Sequence, residues 1–387
     1  MRRRSVREAL ETAGSSRANG HASTDAPAKA ATIRDVAELA RVSVASVSRV
    51  LNDSGPITEA TRQRVLEAMA SLRYVPHVGA RSLSTSRTDT LGVILPDLFG
   101  EFFSELIRGM DLAARAHGKH LMVSSSHDDE AETLTAIRSM RGRVDGLIVL
   151  SPHVGAAALA ADVAGRMPMV LMNSDAAASG RPAIVIDNHG GAVAAVEHLK
   201  AQGRRRITHI GGPAGNMEAE ARQAGYVAAL GDQAPVVIQG DFSQASGHQA
   251  AMRLLASEDR PDAIFAANDM MAIGALLALQ DKGVRCPEDV AVIGFDDVPI
   301  AALVRPSLTT MQVNIAEIGR RGVERLIGLT QPGPAPQDAD SACEIVRPIL
   351  VERQSAAANP IAGLNHGLRA GVAADSRAAQ EGTNQDA

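Results

Sequence analysis

The chain has 387 residues, of which 45% are hydrophobic and 2% are aromatic, and its formal net charge is −5. This size and apolar content are typical of a globular protein with two or three domains, and no apolar segment is long enough to span a membrane. The two distant cysteines, Cys286 and Cys343, have no metal-ligand spacing and fit a reducing cytoplasm. The basic start MRRRSVREALE has no apolar segment after it, so we expect no signal peptide.

The charge is distributed unevenly along the chain. Residues 1–90 contain 14 Lys and Arg against nine Asp and Glu, so this part carries +5 and the remainder −10. A basic N-terminal module on an acidic body suits a protein that contacts phosphate groups with one end only. Residues 1–30 are rich in Ala, Ser and Arg and lack apolar periodicity, so we expect a disordered tail there.

Residues 31–52, ATIRDVAELARVSVASVSRVLN, predict two short helices joined by a tight turn. Thr32 can cap the first helix, because Asp35 stands three residues on and can reach back to the cap amide. Ser43 can cap the second helix. A helix-turn-helix of this kind places its second helix in a DNA major groove, whereas the alternative is one hairpin of an ordinary helical bundle. The residues that face outward from the second helix are Val44, Ala45, Ser48 and Arg49.

The sequence after this hairpin completes a small headpiece and adds a linker. Thr58–Arg73 predicts a third helix with one apolar face, which closes a three-helix core over residues 31–76. Pro76–Ser84 then predicts a short helix, within a hinge and linker at 77–88. A lone helix of this length is unstable in water, so it needs a dimer mate or DNA as a partner.

Beyond residue 89, apolar segments of strand length alternate with amphipathic helices in two successive groups. This pattern predicts an α/β fold with two lobes, each a doubly wound parallel sheet, and a cleft where the strand ends face each other. We expect lobe one at about 89–186 and 315–340, and lobe two at about 187–312 and 341–354. Glu344–Val351 is predicted as one strand of lobe two. Residues 355–387 resemble a second disordered tail and contain no leucine heptad.

Several polar residues come just after predicted strands, at the edge where such folds bind ligands. Carboxylates, amides and a guanidinium can hold the hydroxyls of a sugar, and an aromatic ring can cover its C–H face. A helix cap is the simpler explanation for each Asp or Asn alone, and we assign Asp269 and Asp297 to that role. The remaining candidates are Asp97, Asn173, Arg222, Phe242, Asn268 and Asp296.

The segments ATIRDVAELARVSVASVSRVLN, ITEATRQRVLEAMASLRYVP and ARSL together resemble the LacI/GalR family of bacterial transcription regulators, and the likeness runs from about Ala31 to Gln354. The resemblance implies a homodimer that binds a near-palindromic operator, with Leu83 of a hinge helix wedged into the minor groove. It implies that Val44, Ala45 and Arg49 read bases. Arg41 and Gly79 depart from the family pattern. The full set of predicted DNA contacts is Thr32, Ser43, Val44, Ala45, Ser48, Arg49, Asn52, Ala80, Leu83 and Ser84.

The same resemblance implies a small-molecule effector in a cleft like that of periplasmic binding proteins. Arg222, Asn268 and Asp296 match the family's effector contacts, and Phe242 matches its stacking aromatic residue. Asn173 matches a further polar contact that is often an aspartate. Phe102 and Phe103 resemble the aromatic pair that flanks the sugar in related binding proteins. These seven residues and Asp97, which follows a predicted strand, make up the eight residues of the predicted effector site.

The sequence therefore predicts a cytoplasmic, nucleoid-associated transcription regulator, a repressor of carbohydrate uptake or catabolism genes that is controlled by a sugar or sugar-derived effector. The alternatives are a purine- or nucleoside-responsive repressor of the same family and a sugar-binding transport protein. We expect no enzyme activity, cofactor or metal. The Gly211-Gly212-Pro213 segment lacks the spacing of a phosphate or dinucleotide loop, and His117, His120 and His127 are expected at the surface.

Overall fold

The computed structural model describes residues 31–52, 55–74, 87–127, 129–151, 167–173, 180–331 and 343–357. The chain divides into two compact units, Met1–Ser86 and Arg87–Ala387. The predicted tail at 1–30, residues 358–387 of the predicted tail at 355–387, and most of the predicted hinge lie outside the described residues. The start of the second tail is a correction, because Ser355 and Ala356 are buried in a short 3-10 helix at Gln354–Ala356. In the described part of the chain, every helix is too short or too polar to cross a membrane.

The first unit is a three-helix headpiece. Helix α1 spans Ile33–Leu39, α2 spans Val44–Asn52 and α3 spans Glu59–Ser71. A small core holds them together, built from the apolar faces that the sequence predicted. Its fully buried members are Val36, Ala37, Ala40, Val47, Val50, Val65 and Ala68.

Side-chain caps fix the start of the first two helices. Thr32 and Asp35 form the predicted capping box, in which the Thr32 N–H and hydroxyl both donate to Asp35 Oδ2, at 2.7 and 2.8 Å. Ser43 Oγ accepts the Ser46 N–H at 3.1 Å. Between the helices, Arg41 adopts φ 54°, a left-handed conformation that costs an L-residue about 1–2 kcal/mol. The tight turn that glycine or asparagine would favour is therefore present, with a small local strain.

The second unit contains two six-stranded sheets. The first has strand order β11-β5-β4-β3-β1-β2, and each of its neighbouring pairs is parallel. Its strands are β1 Thr90–Leu95, β2 His120–Ser125, β3 Gly146–Leu150, β4 Met169–Met172, β5 Ala183–Ile186 and β11 Cys343–Val346.

The second sheet has strand order β12-β10-β9-β8-β6-β7. Its pairs are parallel except that β12 runs antiparallel to β10 at one edge. Its strands are β6 Ile207–Gly211, β7 Val237–Gln239, β8 Ala263–Ala266, β9 Ala291–Asp296, β10 Thr309–Gln312 and β12 Ile349–Val351. The prediction of an α/β fold with two doubly wound sheets is thus confirmed.

Helices connect the strands and cover both sheets, as the predicted alternation of strands and helices requires. Two pairs of these helices pack closely because a glycine of one helix faces the backbone of the other. A Cβ atom added to Gly109 would lie 1.9 Å from the Ala316 carbonyl oxygen, and one added to Gly247 would lie 2.2 Å from the Met271 carbonyl oxygen. The helices are α4 Glu101–Ala116, α5 Glu130–Met140, α6 Asn188–Ala201, α7 Met217–Leu230, α8 Gln244–Ala256, α9 Asp269–Asp281 and α10 Ile315–Thr330.

The chain crosses between the lobes three times: from β5 to α6, from β10 to α10, and from β11 to β12. The last crossing corrects the prediction of a single strand at Glu344–Val351 in lobe two. Cys343–Val346 joins the first sheet beside β5, and only Ile349–Val351 joins the second. Pro348 lies between them and has no N–H for a ladder, so the segment divides there. Strand β5 was also absent from the prediction.

Candidate functional site

A cavity of about 820 Å³ lies between the two lobes of the second unit. It forms where strands end and helices begin, which is where open α/β sheets bind ligands. Seven of the eight predicted effector residues line it: Asp97, Phe102, Phe103, Arg222, Phe242, Asn268 and Asp296.

Arg222 is the most constrained side chain of the cavity and is only 3% exposed. Its Nε donates to Asn188 Oδ1 at 2.7 Å, Nη1 donates to the Ala267 carbonyl, and Nη2 donates to Asp296 Oδ1 at 3.2 Å. One face of the guanidinium lies on the Phe295 ring, with Cζ 3.9 Å from the ring centroid. A guanidinium has five N–H groups, so among the described contacts two are left to meet a ligand.

Asp296 ends strand β9 and faces Arg222. It is 5% exposed, and burial raises the pKa of its carboxyl to about 6, while the Arg222 guanidinium opposes that rise. Its backbone has φ 110°, a conformation that side-chain-bearing residues rarely adopt and that is often found at functional sites. The carboxylate is therefore held in place by strain and by an ion pair, ready to accept a hydroxyl hydrogen.

Phe242 and Asn268 are positioned by each other and by a glycine. Asn268 Nδ2 donates to the Phe242 carbonyl at 3.0 Å, and Asn268 Oδ1 accepts the Met271 N–H at 2.9 Å as the cap of α9. A Cβ on Gly212 would lie 2.5 Å from the Phe242 ring, so only glycine leaves room for the ring where it stands. Asn268 is thus both a helix cap and a residue of the cavity wall.

The lobe-one side of the cavity is a loop followed by the start of α4. Asp97 Oδ1 accepts the N–H groups of Leu98 and Phe99, at 2.6 and 3.1 Å, and shapes this loop. Phe102 and Phe103 meet edge to face, with ring centroids 5.5 Å apart. The loop and helix therefore supply aromatic surface opposite the polar residues of lobe two.

Asn173 is not among the described residues that line the cavity. Its Oδ1 accepts the Ile186 N–H at 3.1 Å, and its own N–H donates to the Ile184 carbonyl at 2.9 Å. The side chain is buried and connects the end of β4 to β5. The structure thus gives Asn173 a structural role, and the expected polar contact with an effector is not supported.

Sequence reasoning missed three residues of this site. Asn188 anchors Arg222, Phe99 lines the cavity with 85% of its surface exposed, and Asp269 is fully buried beneath the polar wall. Burial and the charge of Asp296 raise the pKa of the Asp269 carboxyl well above its usual range, while it accepts the Thr310 hydroxyl and the Val298 N–H. Asp269 follows a strand that the sequence predicts and was assigned there to a helix cap, whereas Asn188 follows β5, which the sequence does not predict.

In the headpiece, α2 presents Val44, Ala45 and Arg49 to solvent, with 42% of Val44 exposed, while Ser48 is half-buried. Small apolar groups and one guanidinium are suited to thymine methyl groups and a guanine edge. Thr32 and Ser43 are exposed helix caps. Asn52 lies in α2, but its side chain is not described, and Ala80, Leu83 and Ser84 lie outside the described residues.

Within the described ranges, no group of three His, Cys, Asp or Glu side chains is arranged to hold a metal ion. Cys286 is half-buried and Cys343 is exposed, and both thiols are free.

Comparison with known proteins matches both units. Residues 32–77 match the bacterial regulatory proteins of the lacI family, and residues 196–356 match the periplasmic binding protein-like domain. The chain is 35% identical to the HTH-type transcriptional regulator GalR of Salmonella typhimurium (strain SL1344) over 331 residues, which is 84% of this chain and 96% of that protein.

Solved structures agree with these sequence matches. The lac repressor dimer bound to operator and the anti-inducer ONPF superposes with a TM-score of 0.77 at 29% identity, over 85% of this chain and 99% of that chain. A complex of the transcriptional regulator CelR with cellobiose gives a TM-score of 0.59 at 31% identity, over 84% and 99%. Because this similarity extends over both units and most of the length of each relative, the chain belongs to the lacI family of bacterial regulatory proteins and is a DNA-binding transcriptional regulator.

Proposed function

We propose that the protein is a homodimeric repressor of carbohydrate uptake or catabolism genes, and that a sugar or sugar-derived effector in the interlobe cavity controls its binding to a near-palindromic operator in the cytoplasm. The observation that carries the proposal is the fixed Arg222 guanidinium. Two of its N–H groups are left for a ligand, beside the Asp296 carboxylate and opposite aromatic rings. This set matches a sugar, which offers hydroxyls on its edges and C–H groups on its face.

The two relatives of known ligand support this choice by analogy. The CelR structure contains cellobiose and the lac repressor structure contains ONPF, and both share this fold. The effector acts on DNA affinity only if it binds the open and closed forms of the two lobes unequally, by about 1–3 kcal/mol in typical cases. Closure around the ligand then changes the spacing of the two operator-reading headpieces of the dimer.

A purine or nucleoside is the second candidate, because Phe102, Phe103 and Phe242 offer ring faces that stack on a base as readily as on a sugar. A thermal-shift screen separates the two classes. A ligand at a hundred times its dissociation constant adds about 2.7 kcal/mol to the free energy of unfolding. We expect a sugar to raise the melting temperature and to change operator affinity in a gel shift. A nucleoside hit with no sugar hit would replace the sugar proposal.

A further inference from the structure

The cavity wall has a strong excess of negative charge. Among the described residues that line it, six are acidic and one, Arg222, is basic. Arg222 is already paired with Asp296. Asp269 is fully buried and its pKa is raised well above its usual range, so it adds little charge. The excess negative charge lies on Asp97, Glu101 and Asp241, and the described residues of the wall include no second basic side chain.

Helix N-termini normally attract anions, because their first N–H groups are unsatisfied. In three of the helices that begin at this cavity, the helix's own cap accepts one or two of those N–H groups. Asn216 Oδ1 accepts the N–H groups of Glu218 and Ala219, Ser243 Oγ accepts that of Ser246, and Asn268 Oδ1 accepts that of Met271.

The fourth helix, α4, begins after Gly100, which has no side chain to act as a cap, but Glu101 places a carboxylate in its first turn. The four N-termini therefore provide little attraction for a phosphate or a carboxylate. An anion in the cavity would also be repelled by the carboxylates of the wall.

The cavity is also where the aromatic residues of this chain are concentrated. The sequence has six phenylalanines and no tryptophan, and four of the six line the cavity: Phe99, Phe102, Phe103 and Phe242. The π face of such a ring is negative, so it attracts C–H groups or a cation and gives nothing to an anion. Phe99, at 85% exposure on the loop, adds a ring face that the family resemblance did not predict.

We propose that the effector carries no negative charge: it is a neutral or amine-bearing polyhydroxyl compound, and sugar phosphates, sugar acids and nucleotides are excluded. This inference rests on the proposed function, because it concerns the ligand of the same cavity. The inference restricts the effector to compounds whose hydroxyl groups can donate hydrogen bonds to carboxylates and whose C–H faces can pack on phenylalanine rings.

The test uses the full-length protein and two pools of small molecules. A metabolite extract of a bacterial culture is separated on an anion-exchange resin into the non-retained pool, which holds neutral and cationic compounds, and the retained pool of anions. We expect the non-retained pool to raise the melting temperature and the retained pool to have no effect. A rise with the retained pool would overturn the charge inference but leave the cavity as an effector site. No rise with either pool would overturn the proposed function itself, and this inference with it.

Two glycine variants show whether the stabilising compound binds in the cavity. Gly212→Ala places a methyl group 2.5 Å from the Phe242 ring and should reduce the shift, whereas Gly328→Ala is the matched control, because nothing lies within 4 Å of its Cβ. A shift that survives unchanged in Gly212→Ala would place the ligand elsewhere and overturn the inference.

Ionic strength gives an independent reading of the ligand's charge. Raising salt from about 0.01 to about 1 M shortens the Debye length from about 30 to about 3 Å. Binding of a neutral compound should be unaffected and binding of an amine should weaken by at least about tenfold in affinity. Binding that strengthens with salt would reveal a repelled anion and contradict the proposal.

Discussion

The buried Arg222–Asp296 pair provides the sharpest test of how this cavity is built. Arg222→Met removes the guanidinium and leaves the Asp296 carboxylate, the Asn188 amide oxygen and the Ala267 carbonyl without their donor. Breaking a buried pair from one side costs about 3–5 kcal/mol. In a unit of this size, each kcal/mol lowers the melting temperature by about 2–4 °C. We therefore expect a loss of roughly 10 °C for the second unit at pH 7.5, measured by far-ultraviolet circular dichroism.

Replacing both partners should cost less than the sum of the two single replacements, because the double variant Arg222→Met/Asp296→Asn buries no charge. We expect a coupling energy of about 1–3 kcal/mol. The matched control is Arg108→Met, which removes an exposed ion pair with Glu105 and should leave the melting temperature unchanged. If Arg222→Met melts like Arg108→Met, or if the two replacements add without coupling, the pair does not stabilise the cavity and the reasoning is wrong.

Four further outcomes follow from the geometry. The pKa of Asp296 is raised from 3.8 to about 6, so the native state holds more protons than the unfolded state in this range. Wild-type stability relative to Asp296→Asn should therefore fall by about 2 kcal/mol from pH 4 to 6 in urea titrations, and a rise would contradict the assignment. Arg49→Ala should weaken operator binding by about 1–3 kcal/mol and non-specific binding much less in gel shifts. Leu83→Ala should do the same, and equal loss on both DNAs would exclude a wedge. Arg41→Asn should slow amide exchange in the headpiece, because asparagine tolerates the left-handed turn better.

Much of the fold could be predicted because the local signals agree with the tertiary structure. Helix α5 begins at a capping residue, and strands β3 and β8 are fully buried apolar segments, so the sequence alone indicates each of them. The helix-turn-helix could also be predicted, because the capping residues Thr32, Asp35 and Ser43 mark the first residues of its helices. Each of these elements is specified by residues within itself.

The errors arose where an element depends on its neighbours in space. Strand β5 is four residues long and has no local signal beyond its apolar character, so it was missed. Two residues near the site depend on that strand. Asn173 was proposed because it follows a predicted strand and matches a family contact, and the structure adds that its Oδ1 accepts the Ile186 N–H of β5. Asn188, which begins the next helix, could not be recognised as a strand-end residue or as the anchor of Arg222.

The split between β11 and β12 shows the same limit. Which sheet a strand joins depends on which sheet has an unpaired edge strand beside it, and the sequence of the joining strand does not show this. Cys343–Val346 completes the first sheet beside β5, and Ile349–Val351 completes the second beside β10, on either side of Pro348. The proline indicated a break, but a break inside one sheet and a crossing between lobes have the same local pattern.

Asp296 and Asp297 connect the cavity to the chain segments that cross between the two lobes. Both have positive φ, 110° and 59°, so the backbone at the end of β9 is strained at two consecutive residues. Asp296 faces Arg222 in the cavity, while Asp297 accepts Gln312 Nε2 at 2.7 Å and pairs with Arg353 at 2.7 Å. Gln312 ends the strand before the second crossing and Arg353 follows the strand after the third, so the residue next to Asp296 is bonded to chain segments that flank two of the crossings between the lobes. For a ligand to control DNA binding, the open and closed forms of the lobes must differ in their affinity for it.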